Sequence, residues 1–141
     1  MRVCVIDGRG GGLGSRLVAG LRDSLGVTCQ ILGLGTNLAA AEAMREAGAE
    51  QVASGVEAIS KTVPTVDVIV ASLNMVLPGA MLGEVTSEVS KTILEAKAKK
   101  VLLPLNRVQI EIVGTEGRTM DVLIDECLSR VRVAVQATGQ A

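Results

Sequence analysis

Asp7 is followed by five glycines in the seven residues from Gly8 to Gly14, in the order Asp7-Gly8-Arg9-Gly10-Gly11-Gly12-Leu13-Gly14. Such a run leaves backbone N–H groups uncovered by side chains. At the start of a helix those groups carry the positive end of the helix dipole, so they suit an anion, above all the phosphate of a nucleotide or dinucleotide. The same glycines would also let a helix approach a sheet closely with no ligand present. Arg9 projects from the run, where its guanidinium can pair with a phosphate or stand solvated. Asp7 is awkward beside a phosphate, unless its carboxylate accepts loop N–H groups, holds a cation or works as a catalytic acid or base.

A second stretch of similar composition, Gly33-Leu34-Gly35-Thr36-Asn37, offers a hydroxyl and an amide. These could touch a ligand or simply cap a helix. Asn74, Asn106 and Arg107 follow later apolar segments, at the edge where ligands of layered α/β proteins collect. Glu84 is a weaker candidate contact of the same kind and reads rather as a solvent-facing helix start, favourable at the positive end of the dipole.

The elements that must position these residues alternate. Arg2 to Ile6 is a short apolar strand, and a helix follows from near Ser15, with Leu13, Leu17, Val18, Leu21 and Leu25 at helical spacing and Gly26 as its stop. Thr28 to Leu34 reads as the second strand, with Thr36 or Asn37 capping an Ala-rich helix from about Leu38 to Ala47. Gln51 to Ala53 is a short third strand, after which Ser54-Gly55-Val56-Glu57 has the form of a capping box. Val66 to Ala71 is apolar without alternation, as in a parallel strand buried on both faces. Thr86 caps a helix to about Ala98, Lys99 to Pro104 is the fifth strand, and Gln109 to Val113 alternates like a sixth, edge strand. Met120, Leu123, Ile124, Cys127, Leu128, Val131 and Val135 give the last helix a wide apolar stripe. The expected fold is α/β, a single doubly wound, mainly parallel sheet of five or six strands with helices on both faces, forming one Rossmann-like domain over residues 1–141.

Composition narrows the chemistry. The 141 residues include no Phe, Trp, Tyr or His although 48% are hydrophobic, so the core must be closely packed Val, Leu, Ile, Ala and Met. Without His there is no imidazole base and no His-dependent zinc site, and no acidic cluster suggests another metal. Without aromatics there is no stacking platform for single-stranded nucleic acid, and 14 basic against 15 acidic residues leave little footprint for DNA or RNA.

Cys4, Cys29 and Cys127 form no paired motif. They read as buried small hydrophobes in a reducing cytoplasm, or, for Cys4 and Cys29 on adjacent strands, as a redox pair. No apolar run reaches the ~18 residues of a membrane span. The first strand leaves no room for a signal peptide, so a cytoplasmic location is expected. From Met75 to Leu82 the chain is apolar and irregular, which suits a homo-oligomer interface, a lid or plain core.

Gly8, Gly12 and Gly14 have the spacing G-x-x-x-G-x-G, which resembles the short-chain dehydrogenase/reductase family, and Asn74 weakly resembles that family's Asn after strand four. The resemblance implies NAD or NADP as cofactor, with Gly8, Arg9, Gly10, Gly11, Gly12, Leu13 and Gly14 on the pyrophosphate. It stops at the catalytic pair, since Tyr-x-x-x-Lys cannot exist without Tyr. The acidic residue that usually ends strand two of a dinucleotide fold is also missing, leaving Gly35, Thr36 and Asn37 to hold a ribose.

An Asp ending strand one also resembles response-regulator receiver domains, but neither their second acidic residue nor their Lys after strand five is present. In combination, the stretches Ile6-Asp7-Gly8 with Gly10 to Gly14, Gly35-Thr36-Asn37, Met81-Leu82-Gly83-Glu84, Pro104-Leu105-Asn106 and Ile110-Glu111-Ile112-Val113-Gly114 resemble a family of short bacterial proteins known only as a domain of unknown function.

The leading expectation is a nucleotide- or dinucleotide-binding sensor or accessory subunit, with phosphates on the first glycine loop and Asn74 and Asn106 nearby. Two alternatives stand beside it. One is a small homo-oligomer, such as a homodimer, acting as an NAD(P)-dependent reductase or transferase on a phosphorylated metabolite, with Asp7 as acid/base. The other is a structural or interaction protein whose loop binds nothing.

Overall fold

The computed structural model describes residues 1–105 and 109–139. Its five parallel strands are β1 (Arg2–Asp7), β2 (Gln30–Gly35), β3 (Gln51–Ser54), β4 (Val68–Ser72) and β5 (Lys99–Leu103), in the order β3-β2-β1-β4-β5. The helices are α1 (Gly12–Leu25), α2 (Leu38–Glu46), α3 (Val56–Thr62), α4 (Ser87–Glu95) and α5 (Met120–Gly139). This is the doubly wound, Rossmann-like α/β fold. The strand order reverses between β1 and β4, and ligands of such sheets bind in the crevice beyond the carboxyl ends at that point.

Alternation along β1 divides the core between the two faces. Val3 and Val5 face Leu17, Val18 and Leu21 of α1, Met44 of α2 and Val131 of α5. Cys4 and Ile6 face Ile59 of α3 and Val89 and Ile93 of α4. Full burial of such an aliphatic side chain is worth roughly 1.5–3 kcal/mol. Docking of the buried Leu17, Val18, Leu21 and Leu25 therefore outweighs the poor helix propensity of Gly12, Gly14 and Gly20 in α1. Asn37 caps α2 by accepting the Ala40 N–H at 2.8 Å, and Thr86 caps α4 through the Val89 N–H at 3.2 Å.

Four sequence expectations are corrected. Residues 109–113 form no sixth strand: Ile110 makes one isolated bridge, and Val113 is 97% exposed, so no layer among the described residues covers the alternating face. Ser54 does not open a capping box, because it remains in β3 opposite Gly35 and Gly55 takes the cap position at φ 98°. The first helix starts at Gly12, inside the glycine run. Cys4 and Cys29 are buried small hydrophobes, as the first of their two readings had them, and the alternative of a redox pair falls. Cys4 sits opposite Leu32, three residues beyond Cys29 or ~10 Å along the strand, and the two thiols belong to opposite faces of the sheet. Burial pushes the Cys4 thiol up to about 12, which makes it inert.

Candidate phosphate-binding cleft

The carboxyl end of β1 delivers Asp7 into the crevice. Its side chain is buried, and the two carboxylate oxygens are divided between the ends of the loop: Oδ1 accepts the Gly8 N–H at 2.8 Å and Oδ2 accepts the Gly14 N–H at 2.7 Å. Asp7 thereby ties the first turn of α1 to the strand that precedes it. Burial raises its pKa above the usual carboxylate range, against the pull of the two N–H groups, and the charge of Glu84 pushes the same way as burial. Gly14 must be glycine for this contact, since a Cβ there would lie 2.8 Å from the Asp7 Cβ and 2.9 Å from the Met44 sulfur.

The loop N–H groups divide into two sets. Gly8 and Gly14 donate to Asp7, Arg9 donates to Glu84 Oε1 at 3.0 Å, and Gly11 donates to the Gly8 carbonyl at 3.0 Å. The N–H groups of Gly10, Gly12 and Leu13 have no acceptor among the described residues. All three residues line an open cleft of about 630 Å³. Gly11 is left-handed at φ 74° with Ala40 backbone atoms 2.9 Å from where a Cβ would sit, so the turn that presents these groups depends on glycine.

The cleft gathers residues 7–13 and Asn74 from the residues singled out in the sequence, with Gly79, Met81, Leu82 and Leu105 as its remaining wall. Arg9 is exposed on its rim, and its guanidinium forms no ion pair with a described residue. Gly14 lies behind the loop as the anchor on Asp7. Asn106 and Arg107 lie outside the described residues. Ser72, the last residue of β4, is buried with its hydroxyl unpartnered. No group of three or more Cys, Asp or Glu among the described residues could hold a metal.

Gly35, Thr36 and Asn37 do not line the cleft. The side-chain donors of Thr36 and Asn37 are engaged by Glu84, whose Oε1 accepts the Thr36 hydroxyl at 2.7 Å, the Asn37 amide at 2.7 Å and the Arg9 N–H at 3.0 Å. The Asn37 amide also donates to the Arg9 carbonyl at 2.9 Å, and the Thr36 N–H donates to the Asp7 carbonyl at 2.9 Å. These bonds hold the Glu84 carboxyl below its ordinary pKa, the Thr36 hydroxyl contributing most. The reading of Glu84 as a solvent-facing helix start is thus overturned. Glu84 lies three residues before α4, in a turn that carries it across the first loop to the end of β2. One signal was present: Glu84 is the first charged residue after the uncharged run 72–83.

The apolar stretch 75–82 is split by the structure. Met75 and Ala80 are buried in the core, Met81 lines the cleft, and Leu82 is 93% exposed. Met81 and Leu82 both adopt φ 56°, a strained conformation for side-chain-bearing residues, and Gly83 follows at φ 90°. Backbone bonds from Gly79 N–H to the Val85 carbonyl at 2.7 Å and from Glu84 N–H to the Met81 carbonyl at 3.1 Å hold that turn.

The model of the domain of unknown function DUF3842 matches residues 2–136. The chain belongs to the DUF3842 family. No curated protein matches this family member in sequence. Among solved structures, it is similar to a dodecameric FMN-dependent UbiX-like decarboxylase from Escherichia coli O157:H7, with a TM-score of 0.54 and 14% identity over 99% of this chain and 94% of that one. At that identity the likeness extends to the fold. No described helix of the DUF3842 chain is long and apolar enough to cross a membrane.

Proposed function

We propose that this protein binds a phosphate-bearing nucleotide in the cleft at the β1/β4 switch point and acts as a sensor or accessory subunit. The observation that carries the reading is the trio of unpaired N–H groups at Gly10, Gly12 and Leu13, which line the cleft at the start of the 14-residue α1. Two donors on the helix start and one in the turn before it match one phosphate group. The FMN dependence of the structurally similar decarboxylase adds flavin nucleotides to NAD, NADP and ATP as ligands to be tried. That neighbour is dodecameric, and the exposed Leu82 at the cleft rim suits a homo-oligomer whose partner copy closes the pocket.

A second reading, a small homo-oligomeric reductase or transferase, draws on Asp7, a cleft-lining carboxyl whose burial raises its pKa. Each of its oxygens accepts one N–H and keeps a second lone pair, so the brace to Gly8 and Gly14 and a proton can share the same carboxyl. An Asp7→Asn variant therefore tests the loop brace together with any catalysis.

The decisive experiment is a thermal-unfolding screen read by far-UV circular dichroism, because the chain has no Trp or Tyr. Inorganic phosphate, AMP, ATP, FMN, NAD and NADP form the panel. A ligand at ~100 times its dissociation constant adds about 2.7 kcal/mol, or ~5–10 °C for a chain near this length. The shift should vanish in Gly12→Val, whose added side chain meets no protein atom within 4 Å of its Cβ and enters the cleft instead. Unchanged melting across the panel would overturn the proposal.

A further inference from the structure

The cleft has a closed side and an open side. In a dinucleotide-binding crevice the phosphates cross the first loop, and one ribose continues over the carboxyl end of strand two to meet an acidic residue there. Here that corner is occupied by the chain itself. Glu84 Oε1 lies within 2.7 Å of the Thr36 hydroxyl, one residue beyond β2, and the Met81 sulfur packs above Gly8, 2.8 Å from where a Cβ would sit. Thr36, Asn37 and Glu84 contribute nothing to the cleft lining, whereas Asn74, Met81, Leu82 and Leu105 do. The open volume therefore runs from the free N–H groups toward β4 and β5.

We infer that the cleft takes a mononucleotide and excludes dinucleotides, because Met81 and Glu84 fill the corner that a second nucleotide would need. This rests on the proposed phosphate site and deepens it. The filling is built in: consecutive left-handed residues at Met81 and Leu82 are held by the backbone bonds of the turn, and three donors fix one oxygen of Glu84. Displacing Glu84 would break those three charge-assisted bonds and leave the Thr36 and Asn37 donors to be satisfied anew. On the open side, the aliphatic chains of Leu82 and Leu105 supply apolar surface for a flat base or flavin ring. Asn74 adds a polar side chain to the same lining. A volume near 630 Å³ lies within the usual range of small-ligand sites, ~300–1,000 Å³.

Matched pairs test this directly. FMN against FAD and nicotinamide mononucleotide against NAD differ by one adenylate, and titration of the full chain gives a dissociation constant for each. In any pair that binds, the mononucleotide should be at least tenfold tighter, and the Met81→Ala/Glu84→Ala double variant should narrow that gap severalfold. A dinucleotide as tight as its mononucleotide half, or a gap unchanged in the double variant, overturns the inference and leaves the phosphate loop standing. Binding of inorganic phosphate alone, with none of the four nucleotides, overturns it in the same way. If neither phosphate nor any of the four nucleotides binds, the phosphate-site reading falls and this inference falls with it.

Discussion

The two glycine-bearing turns at the carboxyl edge, residues 7–14 after β1 and residues 33–37 at the end of β2, look alike in sequence and differ in what their polar groups do. Both place glycine between a buried strand and a helix start. In the second turn Asn37 caps α2, and its amide and the Thr36 hydroxyl are bound by Glu84. In the first turn only part of the loop is bonded internally, leaving the N–H groups of Gly10, Gly12 and Leu13 on open space. Glycine content signals close packing or ligand approach without separating them. The partner of each backbone donor does separate them, because a buried donor without a partner is costly and one beside an open cleft is available.

The largest expected effect lies in the closed turn. A Cβ at Gly35 would stand 2.5 Å from the Asn37 carbonyl oxygen and 2.7 Å from the Ala41 nitrogen, both backbone atoms that cannot swing aside. Gly35→Ala should therefore lower stability by about 3 kcal/mol, read as a fall in the urea midpoint, through overpacking at the start of α2. An unchanged midpoint would mean that the second turn is as open as the first.

Next in size are two carboxylates, Asp7 bracing the first turn internally and Glu84 joining the two turns, and they should respond to pH with opposite signs. Asp7 has a folded pKa above its unfolded value, so the folded state binds its proton more tightly. Its ionisation opposes folding, and the penalty is relieved as pH falls through the folded value. Glu84 has a folded pKa below its unfolded value. Its stabilisation is full above the unfolded value and is lost as pH falls through the folded one.

Asp7→Asn cannot accept at both oxygens and should cost about 2 kcal/mol near neutral pH. Glu84→Gln, in a partly exposed turn, should cost about 1 kcal/mol. Urea midpoints measured from neutral pH downward should show each substitution removing its own slope. Parallel pH curves for the two variants would contradict the assignment of these opposing roles.

The elements with strong periodicity were legible in the sequence because they respond to burial. The strip of Leu17, Val18 and Leu21 in α1 and that of Ile124, Cys127 and Val131 in α5 do dock on the sheet. The alternation at 109–113 misled because a pattern states only which residues could be buried, and no described layer covers Val113. The first loop was legible as far as its glycines and Asp7. Glu84 was not, since its bonds to Arg9, Thr36 and Asn37 span 75, 48 and 47 residues. The residue that closes the second turn lies beyond the reach of any local motif. Met75 illustrates the same limit: it shares the apolar run of Leu82 but is fully buried, because only the tertiary path of the turn decides which side chains return to the core.

The smallest expected effect refines the comparison inside the first loop itself. A Cβ at Gly8 would lie 2.7 Å from the Thr36 hydroxyl and 2.8 Å from the Met81 sulfur, whereas one at Gly10 or Gly12 would meet nothing within 4 Å. Gly10→Ala and Gly12→Ala should leave the urea midpoint within about 0.5 kcal/mol of the parent. Gly12→Ala can gain slightly at the first position of α1, where alanine restricts the unfolded chain more than glycine does. Gly8→Ala should destabilise clearly. Equal losses at all three positions would make the glycines a packing device throughout. Losses confined to Gly8 would leave Gly10 and Gly12 with no folding role, the pattern expected where glycine serves the approach of a ligand to the Gly10, Gly12 and Leu13 N–H groups.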